Sequence, residues 1–241
     1  MRAEMLKVRS MPTPLWCLIA VLLCFVLGLI GTILWGPGED AGSIDVAIGI
    51  PTFIAAVVFG VWIVGVEFGQ STLRQVLTAD PRRGRLILVK LAVLLFWVAL
   101  VTILLHLVAF PLYELASQRH DQSIDAEIVA RYGLAALISN VVYAVVGFAF
   151  ALITASMAGG VTMALVFIFV IDTVISSIRQ ISDYAMGPAL SGLTDNIRGF
   201  QTVIFGEKTP NAGADELALV LAWLALLMLL GILRFRNSEI K

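Results

Sequence analysis

The stretch Glu67-Phe68-Gly69-Gln70-Ser71-Thr72-Leu73-Arg74-Gln75-Val76-Leu77-Thr78-Ala79-Asp80-Pro81-Arg82-Arg83-Gly84-Arg85 holds four arginines, more basic residues than any other interval between apolar runs in a 241-residue chain. It is bounded by 44–66 on one side and 86–112 on the other. Each of those runs reaches the roughly 20 residues that a helix rising about 1.5 Å per residue needs to cross a hydrocarbon core of about 30 Å. Working outward, 15–35, 133–156, 160–178 and 215–234 read the same way, so the expected fold is all-α, a single polytopic membrane domain over residues 1–241 with six spans. Alternation of period two, which a membrane β-barrel needs, is missing from runs this continuous.

Composition agrees. Hydrophobic residues make up 60% of the chain and charged ones 14%, against roughly 45–50% and 25% in soluble domains. A net charge of −1 argues against a nucleic-acid binder, which carries a strong positive balance. Cys17 and Cys24 share one face of the first run and read as small apolar residues, without disulfide or metal-ligand spacing. The first run is longer than a signal-peptide core of about 7–15 residues, and no small-x-small cleavage site follows it, so it reads as a retained span.

Orientation follows from lysine and arginine, which are enriched in short cytoplasmic segments. With both termini inside, the cytosolic side collects Arg2, Lys7, Arg9, Arg74, Arg82, Arg83, Arg85, Lys90, Arg234, Arg236 and Lys241, leaving Arg119, Arg131, Arg179, Arg198 and Lys208 outside. Most acidic residues sort the other way. The expected localisation is a bacterial-type cytoplasmic membrane. The N-terminal stretch, with Met5, Leu6 and Val8 among basic residues, is suited to lie along the inner lipid surface. A turn is expected at Met157-Ala158-Gly159-Gly160. The long outer segment 179–214 carries Ile181, Tyr184, Met186, Leu190, Leu193, Ile197, Phe200, Val203, Ile204 and Phe205 at roughly helical spacing, interrupted by Gly187-Pro188 and Gly206, so one or two short amphipathic helices are expected there rather than an ordinary loop.

Within the opening stretch, Leu73, Val76 and Leu77 form an apolar stripe on a short helix whose polar side holds Gln70, Arg74 and Gln75. Pro81 ends it, and Arg82, Arg83 and Arg85 mark re-entry into the bilayer. A basic loop that only sets topology would share these features. Glu67 either holds the angle of the loop together with Arg74 or reaches out to the membrane interface. Among intramembrane groups, Asp172 must face protein or water, because burying its charge costs about 2.5–3.5 kcal/mol on insertion scales. It is a candidate for a substrate path, or for hydrogen bonding with Ser176 one turn on or with another helix. His106 stands as a similar, weaker candidate. Pro51 removes a hydrogen bond from the second run, and Gly147, Ala151, Ala155 and Gly159 form a small-residue stripe suited to close helix packing within or between subunits.

Glu67-Phe68, Ser71-Thr72-Leu73-Arg74, Leu77, Pro81, Arg83-Gly84-Arg85 and Lys90 together resemble the signature loop of permease subunits in ATP-binding-cassette transporters of the type-two export class, with Ser71 where the family more often has glycine. The resemblance extends to six spans, a basic N-terminal segment and an apolar outer stretch before the last span. It implies a coupling helix formed by Glu67, Ser71, Thr72, Leu73, Arg74, Val76, Leu77, Pro81, Arg83 and Arg85. This helix would dock on a separate cytosolic ATPase subunit, and a second copy or a related permease would complete the path through the lipids. The chain has no Gly-x-x-x-x-Gly-Lys-Ser/Thr phosphate loop, so ATP hydrolysis is expected elsewhere and no cofactor or metal is expected here. A membrane enzyme would need a nucleophile with its base, or metal ligands, and the only histidines are His106 and His120. The open alternatives are a non-transporting anchor or sensor driven by the same kind of ATPase, and a secondary transporter that would leave the loop unexplained.

Overall fold

A computed structural model describes residues 12–35, 42–69, 83–118, 126–199 and 212–237, and among these there is no strand. The helices are α1 Pro12–Trp35, α2 Gly42–Gly69, α3 Arg83–Gln118, α4 Ala126–Thr154, α5 Met157–Val166, α6 Asp172–Ser177, α7 Met186–Arg198 and α8 Ala212–Asn237. A π-helical turn, Phe167–Ile171, joins α5 to α6. Five helices are long and apolar enough to cross a membrane, over Pro51–Phe68, Gly84–Ala109, Ala130–Thr154, Met157–Ser177 and Gly213–Arg236. The chain is therefore built as a multi-pass membrane protein. Where six spans were expected, α1 contributes only the shorter apolar stretch Leu18–Leu27 to this set.

Packing centres on α2 and α4. Gly60 lies against the Ala144 carbonyl and Gly147 against the Val57 carbonyl, so that a Cβ on either glycine would collide with the facing backbone. Between helices that are equally apolar all round, such backbone approach replaces the hydrophobic drive of a soluble core. The predicted stripe thus acts within one subunit at Gly147. Around this crossing, Val61, Trp62, Val93, Leu94, Ala144, Phe148 and Leu152 form one buried cluster, and Val57, Val146, Ala149, Ala164, Met186 and Val220 belong to a second. Pro51 lies inside α2, where the Thr52 hydroxyl donates to the Gly49 carbonyl at 2.9 Å.

The turn between α4 and α5 falls earlier than expected. Helix α4 stops at Thr154, Ala155 takes φ 52°, and Ser156 caps α5 by accepting from the Gly159 N–H at 3.3 Å. Met157–Gly160 is therefore the first turn of a helix. A non-glycine residue in the left-handed region costs about 1–2 kcal/mol, and here it allows α5 to fold straight back along α4.

The outer segment contains one amphipathic helix, α7. Met186, Ala189, Leu190 and Leu193 recur at i, i+3, i+4 and i+7 and are all buried, as an apolar stripe on a period of 3.6 requires. Gly187-Pro188 opens this helix rather than interrupting it, since proline is tolerated in a first turn where N–H groups lack intrahelical partners. Gly199, at φ 89°, ends it with its N–H donating to the Asn196 carbonyl at 3.2 Å. The expected helical residues from Phe200 to Phe205 lie outside the described residues, as does the N-terminal stretch Met1 to Ser10.

Candidate functional site

Residues of the predicted coupling loop divide into two groups. Ser71, Thr72, Leu73, Arg74, Val76, Leu77 and Pro81 lie outside the described residues. Arg83 opens α3, and Arg85, two residues further on, is exposed. Glu67, by contrast, is 1% exposed near the end of α2, facing Lys90, 2% exposed, two turns into α3. The Lys90 ammonium sits 2.9 Å from Glu67 Oε1 and donates to the Ile63 carbonyl at 2.8 Å. Glu67 therefore does not reach out to the membrane interface. Its carboxylate turns inward and ties α2 to α3, the helices that precede and follow residues 70–82.

Helical geometry explains the second bond: Ile63 lies one turn before Glu67, so one ammonium can meet both the carboxylate and the carbonyl on one face of α2. The desolvation of two ions takes several kcal/mol each, and only close contact with further hydrogen bonds offsets it. Other helix ends converge on the same place. Phe235, near the end of α8, is buried in this cluster and meets Phe68 edge-on at 6.1 Å. Met157, the first residue of α5, packs against Gly65. Ends of α2, α3, α5 and α8 thus meet at one buried cluster.

Asp172 lies at the other end of the α5–α6 span and is 7% exposed. Its two oxygens accept from the Met186 N–H at 2.7 Å and the Gly187 N–H at 2.9 Å. A carboxylate here satisfies two free N–H groups at the start of α7 and opposes the positive end of the helix dipole. Gly187 permits the approach, because a side chain at that position would collide with Asp172 Oδ2. Of the expected alternatives Ser176 is not the partner, its hydroxyl donating to the Thr173 carbonyl at 2.9 Å, and the bonds run to another helix, α7. Sequence periodicity could not reveal this role, since the donors lie 14 and 15 residues away.

Further polar contacts fasten the same end. Trp223 Nε1 donates to the Tyr184 carbonyl at 2.8 Å, joining α8 to the turn before α7. Arg198 pairs with Asp195 at 3.1 Å and stands over the Tyr132 ring of α4 at 5.3 Å. Midway along the bundle, Asn140 of α4 donates to Thr102 Oγ1 of α3 at 3.1 Å, with both residues buried. His106 Nδ1 donates to the Thr102 carbonyl at 2.8 Å, since a carbonyl can only accept. The Asn140–Thr102 bond was missed in the sequence, where an asparagine inside an apolar run was the available signal.

Among the described residues, no group of three or more His, Cys, Asp or Glu side chains is arranged to hold a metal ion. No protein-family model matches this chain, and no curated protein matches it closely enough to indicate a family.

Proposed function

We propose that this chain is the membrane-spanning permease subunit of an ATP-driven exporter of the ATP-binding-cassette type-two class. On this reading Pro12–Trp35 is the first of six spans, both termini are cytosolic, and the membrane is a bacterial-type cytoplasmic membrane. Residues 67–85 dock on a separate ATPase subunit, and a second copy or a related permease completes the path. The observation that carries the assignment is the buried Glu67–Lys90 pair at the base of the loop. A loop that receives force from a partner passes it on only if the helices at its two ends move together, and a desolvated ion pair resists their separation. A loop that merely set topology would need surface charge there, not a charge pair withdrawn from water.

The test starts from the neighbouring genes, where an ATP-binding-cassette ATPase is expected; the full chain is co-expressed with that ATPase, purified and reconstituted in vesicles. Association of the two and stimulation of ATP hydrolysis by a transported compound are expected. Leu73→Asp combined with Arg74→Glu should abolish association while membrane insertion is retained. Undiminished association of that variant refutes the docking assignment. Association without stimulation by any compound points instead to an anchor or sensor.

A further inference from the structure

The turn that leads into α7 lies deeper than the last charged residues of the neighbouring span. Gly192 of α7 packs on the Glu216 carboxylate of α8 and Asn196 lies against Gly213, so the two helices run antiparallel with Gly192 level with Glu216. Met186 opens α7 six residues before Gly192, about 9 Å further down the bundle. A second contact gives the same depth. The Tyr184 carbonyl accepts from Trp223 Nε1 at 2.8 Å, and Trp223 stands seven residues beyond Glu216, about 10 Å further along α8. Between Glu216 and Arg234 that helix carries no charged residue, so the turn sits at a level where α8 is built for hydrocarbon.

Residues 178–185 are not built for it. The Ile181 and Ser182 N–H groups both donate to the Ile178 carbonyl at 2.9 Å, and the Tyr184 N–H donates to the Ile181 carbonyl at 3.0 Å, which folds the segment into a tight irregular turn. Arg179, Gln180 and Asp183 are exposed on it. Among the described residues, no ion pair or hydrogen bond engages the Arg179 guanidinium, and the Asp183 carboxylate meets only the Ser182 hydroxyl, at 3.3 Å. A long arginine can reach up towards the lipid headgroups, but an aspartate side chain is too short to cover about 10 Å. Irregular backbone and bare charge do not face hydrocarbon, and at membrane depth they occur where water reaches them or protein covers them. Water hydrates charges of both signs and the free amide at once.

We propose that residues 178–185 line a water-filled vestibule that descends about 10 Å into the bundle from the end opposite Glu67 and Lys90. That this end faces the outside, and that the vestibule is the outer mouth of an export path, rest on the proposed function. The vestibule itself does not, and it needs no ATPase.

The experiment places single cysteines in the full chain, in a cysteine-free background, and treats intact cells with the membrane-impermeant reagent trimethylammonioethyl methanethiosulfonate. Thiols left unmodified are counted after denaturation by a polyethylene-glycol maleimide. The reagent attacks only a thiolate, which forms in water and not in hydrocarbon. Leu221→Cys is the comparison, because Leu221 is 54% exposed on α8 and lies nearer to Glu216 than Trp223 does. Asp183→Cys should be modified about tenfold or more faster than Leu221→Cys. Gln180→Cys takes its place if the Asp183 variant fails to fold. Protection of the turn cysteine to the level of Leu221→Cys overturns the vestibule and points to lipid or a second copy of the chain over the turn. Fast reaction of both also overturns it, because the turn would then lie at the membrane surface. If the turn cysteine reacts fast only when the reagent is supplied from the cytosolic side, the proposed topology falls and the vestibule stands.

Discussion

Gly60 and Gly147 sit reciprocally in the crossing of α2 and α4, each facing the backbone of the other helix, at Ala144 and Val57 respectively. No side chain intervenes at either point, so the separation of the two most buried helices is set by main-chain contact. Gly147→Leu should therefore force the helices apart and lower the detergent melting temperature sharply, a loss of about 3 kcal/mol or more from overpacking. Leu219→Ala, on half-buried α8 surface, is the comparison. An equal effect of the two substitutions would count against the crossing.

For Glu67 and Lys90, single and double substitutions should be strongly non-additive. Lys90→Met leaves a buried carboxylate without its ammonium and should cost about 3–5 kcal/mol, whereas Glu67→Leu with Lys90→Met should cost much less. Chemical denaturation in mixed micelles checks the stability side. If the pair stiffens the loop base, the double variant will regain stability without regaining ATPase coupling.

Asp172→Ala removes the acceptor for both Met186 and Gly187 N–H groups. The loss of a helix cap costs about 1–2 kcal/mol, and it should be local. Hydrogen exchange along α7 is expected to quicken from Met186 onward while α2 and α4 keep their protection. Uniform loss of protection across the bundle would mean that Asp172 supports the whole fold instead.

Ala155 holds φ 52° in the turn between α4 and α5. Glycine adopts that conformation without the Cβ penalty, so Ala155→Gly should stabilise the protein by about 1 kcal/mol. A lower melting temperature would show that the methyl group contributes packing that outweighs the strain.

Polarity is checked by cysteine placement. In a cysteine-free background, Gln75→Cys should resist a membrane-impermeant maleimide applied to intact cells and react after permeabilisation. Reaction from outside would invert the proposed topology.

Length and apolarity along the chain were enough to locate the spans to within three residues at most ends, because crossing a bilayer imposes a local requirement that each run meets alone, while α3 runs on to Gln118 and α4 starts back at Ala126, six and seven residues beyond the apolar runs. The amphipathic helix Met186–Arg198 was legible for the same reason: one face meets apolar packing and the other water, which writes a period of 3.6 into its residues. Which face of each span meets protein could not be read in this way. Lipid is as apolar as the interior, so inward and outward faces of a span carry the same residue types. Hence the inward turn of Glu67 onto Lys90, the seating of Asp172 against α7 and the mutual approach of Gly60 and Gly147 emerged only when distant segments were brought together. Each depends on partners along other helices, and no local pattern encodes a partner.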